Sequence, residues 1–280
     1  MKTTNHEIKS LVNDIASTTH LVFEDRCVAV YVMGSLARGG FSENASDIDI
    51  GIILDDPLQM SDEQYIKQIQ SNAVKKHSTV DNNVSIFWGS ITSINGLDDG
   101  GRYPPFDRLD LIDHALLLIG EDVRAELQKP SKKELEIAGA EFALEYLGSK
   151  EAIEEFFNYE TLIQKGSVKV SKTILFPARF IYLEKTGKIA GNDVSYQYYI
   201  DHFSGPDADL VKYGYQWRFD SLPDDVSQVY ELLHKGLDKL YLKFIDSYVQ
   251  KMGLYGEEDL KNKLIKWKES IASSCSRIDH

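Results

Sequence analysis

The sequence predicts an α+β protein in two parts, a sheet-and-helix domain over residues 1–129 and an all-α domain over residues 130–280. Three observations carry this. Two Val- and Ile-rich runs, 28–33 and 48–54, are short enough to be strands and flank a polar, glycine-containing stretch. A third short apolar run, Val84–Trp88, follows a segment with helical spacing. Beyond Lys129-Pro130 the composition shifts, and every later segment reads as helix.

Taken in order, residues 5–22 place Ile8, Leu11, Val12, Ile15 and Leu21 at roughly helical spacing, which predicts a leading amphipathic helix. After the two strands, Asp55-Asp56-Pro57 ends the sheet segment. Ser61-Asp62-Glu63-Gln64 reads as a capping box opening a helix to about His77. Leu109–Ile119, with Gly120 behind it, reads as a final strand whose first part is open to a helical turn, and His114 within it as a buried histidine. In the second domain Ser131 and Glu134 form a second capping-box pattern. Helices are predicted near 131–147, 150–164, 167–186, 193–203, 207–218, 225–251 and 257–272. Pro177 should kink the third of these or mark its start, and Gly187 is placed to end it.

The stretch between the first two strands carries the chemistry. Gly34 permits a sharp turn and a close approach of backbone to a ligand. The N–H groups that follow, with the Ser35 hydroxyl, can donate to phosphate oxygens, and Arg38 can add a charged, forked donor. Asp47 and Asp49 are two residues apart, so on a strand both carboxylates point to one face while Ile48 and Ile50 point to the other. Adjacent carboxylates raise each other's pKa, and a hard cation such as Mg²⁺ removes that cost. Taken singly, Gly-Ser and Asp-x-Asp are ordinary turn and strand-end punctuation. Their conjunction, in this order between two apolar strands, is what points to a site.

Gly34-Ser35, Ala37-Arg38-Gly39 and Ser46-Asp47-Ile48-Asp49-Ile50 resemble the signature of the nucleotidyltransferase superfamily, which shares the DNA polymerase β-like palm. That resemblance implies a mixed sheet with flanking helices, Asp47 and Asp49 as catalytic metal ligands, and Gly34, Ser35 and Arg38 as nucleotide-binding residues. It also implies a third carboxylate on the next strand. Here that strand carries Ser85 where the acid is expected. Asp81, four residues upstream, shares its face if the strand starts early, and is the first candidate for the third acid, with Asp107 and Asp110 behind it.

A second stretch, Ala178-Arg179, Tyr182, Thr186-Gly187-Lys188-Ile189-Ala190 and Asp193, resembles the helical domain of the streptomycin/spectinomycin adenylyltransferases. By that resemblance Lys188 is a candidate for the triphosphate. Read from residues alone, Thr-Gly-Lys is equally a helix C-terminus with a favourable cation. The aromatics Tyr196, Tyr198, Tyr199, Phe203, Tyr213, Tyr215, Trp217 and Phe219 suit either a core or a stacking surface. The Gly100–Arg108 loop, with Arg102 and Arg108, is of a kind that shapes an acceptor pocket.

A formal net charge of −13 argues against a nucleic-acid partner and fits a small or cationic acceptor. Two cysteines, Cys27 and Cys275, make no disulfide framework, and Cys27 reads as a small buried hydrophobe. With no signal-peptide pattern at the N-terminus and no apolar run of spanning length, the expectation is a cytoplasmic protein without membrane contact.

The expected function is transfer of AMP from Mg-ATP to a hydroxyl of a small molecule, with an aminoglycoside-type antibiotic as the candidate acceptor. Two rivals stand beside it: the same chemistry on a protein acceptor, and a nucleotide-binding module that has lost its base.

Overall fold

The computed structural model describes residues 1–278, with side chains through Ala272; the Cys275 thiol lies outside the described residues. The chain divides into two compact units, Met1–Pro130 and Ser131–His280.

In the first unit, α1 (His6–Phe23) is capped by Asn5, whose side chain accepts from the N–H groups of Glu7 and Ile8. Then come β1 (Cys27–Val32), the short helix α2 (Gly34–Arg38), β2 (Ile48–Leu54), α3 (Asp62–Lys76) and β3 (Val84–Gly89). The single-turn helix α4 (Ile91–Ile94), α5 (Pro105–His114) and β4 (Leu116–Gly120) complete it. The strands form one sheet in the order β3-β2-β1-β4. β1 pairs antiparallel with β2 and with β4, whereas β2 and β3 run parallel, so the sheet is mixed.

Alternation on these strands builds two apolar layers. Val30, Val32, Ile48, Ile50, Ile52 and Ile86 face α1 and α3, which contribute Ile8, Leu11, Ile15, Ile66 and Ile69. Ala29, Tyr31, Met33, Ile53 and Phe87 face the other way, toward Leu111 of α5. Cys27 is buried as expected, and burial pushes its thiol pKa up to about 11.

Two local expectations are corrected, at Ser61 and His114, and one open alternative is decided. Ser61 precedes α3 but makes no side-chain capping bond; instead Asp62 is fully buried and bonds the Arg26 guanidinium and the Gln59 N–H. The first half of the expected final strand is α5, because Pro105 at its start pre-sets the first helical φ. His114 sits exposed in the last turn of that helix and is not a buried histidine.

The second unit is all helix: α6 (Lys132–Tyr146), α7 (Lys150–Phe156), α8 (Tyr159–Gln164), α9 (Gly166–Thr186), α10 (Asn192–His202), α11 (Pro206–Gln216), α12 (Val226–Tyr255) and α13 (Glu258–Ile278). The Ser131/Glu134 capping box is formed in both directions. The helix expected over 150–164 is split in two at Phe157-Asn158, where the Asn158 side chain caps α8. α9 continues through Pro177 and ends at Gly187, whose φ of +70° gives a left-handed cap. Its core joins Ile174 and Phe180 of α9, Leu210 and Val211 of α11, Leu237 and Phe244 of α12, and Trp267 of α13. Of the aromatics singled out above, Tyr199 and Trp217 are core, and Phe219 is exposed. Tyr199 donates to Asp207 at 2.6 Å, and Lys243 pairs with the same carboxylate. No described helix is long and apolar enough to cross a membrane.

Candidate active site

The site is built where β1 hands over to α2 beside the start of β2. Gly34 opens α2 at φ +61°, a conformation that side chains disfavour. Space forbids one too: a Cβ built on Gly34 overlaps Asp49 Oδ2 and lies 2.9 Å from Asp49 Cγ. The turn is thus seated directly on the Asp49 carboxylate. It is also stitched to β2 by the bond from Met33 N to Asp49 O, 2.8 Å.

Asp47 and Asp49 are half-buried on one side of β2, while Ile48 and Ile50 are fully buried on the other. Alternation therefore presents both carboxylates on one face. Asn83 Nδ2 approaches Asp47 Oδ1 at 3.5 Å.

Ser35 is half-buried at the first turn of α2. The far end of this helix is held by Lys2, whose N–H donates to Leu36 O at 2.7 Å and whose ammonium reaches Arg38 O. Arg38 is engaged: Nη1 forms an ion pair with Asp110 Oδ1. The other oxygen of Asp110 accepts from Gly34 N at 2.7 Å. Gly34 therefore supplies the turn, but its own N–H is already committed, and the donors open to a ligand begin at Ser35.

On β3, Ser85 is the register partner of Asp49 across the parallel pair. The strand begins at Val84, so the alternation argument does not extend to Asp81. Asp81 lies exposed in the loop before it. That loop adjoins the Asp47 segment, since Asn82 donates to Glu43 O and Ser46 O at 2.8 Å each, and Ile48 N donates to Asn83 O at 2.7 Å. Among the described residues, no group of three or more His, Cys, Asp or Glu is placed to hold a metal ion. The carboxylates offered are the Asp47/Asp49 pair.

The sequence reading did not single out Tyr103 or Gly51. Gly51 continues the Asp47–Asp49 face of β2, and a Cβ there would overlap the Tyr103 hydroxyl and lie 2.7 Å from Met33 Sδ. The missing side chain at an otherwise apolar strand position is the sequence signal that something approaches closely. Burial, with Asp107, Tyr31 and Asp110 nearby, raises the Tyr103 pKa well above the usual phenol value. Tyr103 also lines a pocket of about 310 Å³ with Trp88, Ser93, Ile94, Gly100, Gly101, Arg102 and Pro104. Arg102 lies over the Phe87 ring at 4.9 Å and bonds Ile86 O at 3.3 Å.

Lys188 belongs to the second unit. It is exposed just past the Gly187 cap, with its N–H donating to Thr186 Oγ1 at 3.2 Å, the helix-terminus geometry that Thr-Gly-Lys suggests.

Residues 21–84 match the family model of the nucleotidyltransferase domain, a span that contains Gly34, Ser35, Asp47 and Asp49. No curated protein matches the sequence significantly. Among solved structures, the chain is similar to a spectinomycin adenyltransferase, AAD(9), from Enterococcus faecialis, solved with ATP and spectinomycin. The likeness has a TM-score of 0.58 at 11% identity and covers 94% of this chain and 99% of that one. The Gly-Ser turn and the Asp pair thus lie within the stretch that matches the nucleotidyltransferase domain, and the fold of the chain resembles that of the spectinomycin adenyltransferase.

Proposed function

We propose that the protein transfers a nucleoside monophosphate, AMP from ATP, to a hydroxyl of a small molecule of the aminoglycoside or a related antibiotic class. The observation that carries this is the seating of the Gly34 turn on Asp49, which puts phosphate donors and a paired carboxylate side by side. The similar adenyltransferase was solved with ATP and spectinomycin, which supports the donor and the acceptor class.

Mg²⁺ is commonly held by one or two carboxylates together with substrate phosphates, so a two-carboxylate face fits it. Asp47 and Asp49 are the proposed ligands. When bound, the ion supplies charge neutralisation on the phosphates and acidifies the acceptor hydroxyl.

The Ser35 hydroxyl and the backbone donors that follow it hold the terminal phosphates, leaving the α-phosphorus to in-line attack. Arg38, fixed by Asp110, places positive charge beside the turn. Asp81, on the loop beside Asp47, is the proposed acceptor of the attacking hydroxyl's proton. Most of the acceleration comes from positioning and charge neutralisation.

Ser85 opposite Asp49 favours a second reading, a nucleotide-binding module without transfer activity. Pyrophosphate release from Mg-ATP, with and without aminoglycosides, spectinomycin and lincosamides, separates the two. Acceptor-dependent release that is lost in Asp47→Asn/Asp49→Asn is the expected result. Metal-dependent ATP binding with no release across the panel overturns transfer and leaves the binding module.

A further inference from the structure

Asp110 stands on α5, far along the chain from the turn it touches, and is only 4% exposed. A carboxylate so placed is costly unless paired, and it has two partners: the Arg38 guanidinium on one oxygen and the Gly34 N–H on the other. The partners are specific. α5 is already anchored to the sheet by Leu111, so packing alone does not call for a charge here. The N–H that Asp110 takes is the first of α2, which no bond within that helix can satisfy. Arg38 is the last residue of the same helix. One carboxylate therefore grips both ends of the five-residue α2.

We propose that Asp110 is a positioning residue for the nucleotide site, a latch that holds Gly34 and Arg38 so that the turn stays seated on Asp49. This rests on the nucleotidyltransferase reading of the same site. The latch gives Arg38 a structural partner, and its charge acts through the turn's placement and not as a phosphate contact. With so little room between Gly34 and Asp49, a displaced turn also displaces a proposed metal ligand.

The test uses the full chain and three substitutions: Asp110→Ala, Asp110→Asn and Arg38→Met, with the Arg38→Met/Asp110→Ala double variant. Asp110→Asn retains an oxygen for the Gly34 N–H and serves as the folded comparison if Asp110→Ala unfolds. Two readouts are taken beside melting temperature: amide exchange of the segment 33–38, and Mg-ATP affinity by titration.

The expected result is faster exchange and about tenfold weaker Mg-ATP binding in Asp110→Ala, as loss of a charge-assisted bond would give. Asp110→Asn should recover part of both. The double variant should bind no more weakly than Asp110→Ala, because the two residues act as one device. Unchanged exchange in Asp110→Ala, affinity within about twofold of wild type, or losses that add in the double variant overturn the latch. Additive losses would make Arg38 a direct phosphate ligand. A wild-type chain that binds no Mg-ATP overturns the reading of the site and not the latch geometry, which exchange decides by itself.

Discussion

Replacing Gly34 by alanine should separate backbone strain from the loss of the site. At φ +61° an L-residue costs about 1–2 kcal/mol. Gly96, at φ +74° with open space around its would-be Cβ, carries that backbone cost alone and is the control. At Gly34 the added carbon would lie 2.9 Å from Asp49 Cγ, whereas an unstrained carbon–carbon contact is about 3.5–4.0 Å, so the carboxylate must withdraw by about 1 Å. Overpacking of this kind adds about 1–3 kcal/mol. Urea denaturation should therefore show Gly34→Ala about 3 kcal/mol less stable than wild type, and Gly96→Ala about 1 kcal/mol. A misplacement of that size at a reacting centre costs on the order of a hundredfold in rate. Pyrophosphate release should fall by about that factor in Gly34→Ala and stay near wild type in Gly96→Ala. Wild-type turnover by Gly34→Ala would refute the argument that the turn and Asp49 have no slack between them.

Asp49→Asn should abolish Mg-dependent ATP turnover with little change in melting temperature, since the side chain is only half-buried and Asn keeps its shape; calorimetry alongside the pyrophosphate assay checks both. Asp62 carries an acid-stability prediction. Burial raises its pKa, but the Arg26 bonds, the Gln59 N–H and the Arg26 charge outweigh this and hold it below 3.8. A depressed carboxylate stabilises the fold above its unfolded pKa, and this is lost as pH falls through the folded value. Acid unfolding followed below about pH 4 should thus be less steep in Asp62→Asn, which should also be about 2–3 kcal/mol less stable at neutral pH. Gly51→Ala should lose about 1–3 kcal/mol by collision with Tyr103 and Met33, and Tyr103→Phe in that background should return part of it, as a double-mutant cycle in urea would read. In a Cys275→Ser chain, Cys27 should resist alkylation at pH 8 until the protein unfolds, because its thiol is buried with a pKa near 11.

The strands and the Asp pair were legible because local pattern decides them. Alternation at 47–50 assigns each side chain to a face without any knowledge of its neighbours, and the structure keeps that assignment. What escaped depends on partners distant in sequence. Asp110 was one candidate acid in a run read as strand, and only the fold brings it to Gly34 and Arg38. Ser61 failed as a cap because Arg26, across the fold, took Asp62 into a buried pair, a tertiary choice that overrides the local motif. His114 looked buried because its neighbours are apolar. Once Pro105 starts a helix, the period changes from two to 3.6 and His114 turns outward. The break at Asn158 has a local cause, a side-chain cap in the middle of helical periodicity, and could have been read.

The antiparallel contact of β1 with β2 also has a consequence for the order of assembly. Gly34, Asp47 and Asp49 lie within or between these two strands, so the turn and the carboxylates meet by closing one short local loop. Asp110 reaches Gly34 across 76 residues, and β4 must return from still further away to complete the sheet beside β1. Loop-closure entropy rises with separation, and contacts near in sequence form sooner. A chain emerging during synthesis should therefore align its two aspartates early and fasten the glycine turn late. The interval between those events is when the half-made centre is loose, and the last residues to arrive in the first unit decide when it becomes rigid.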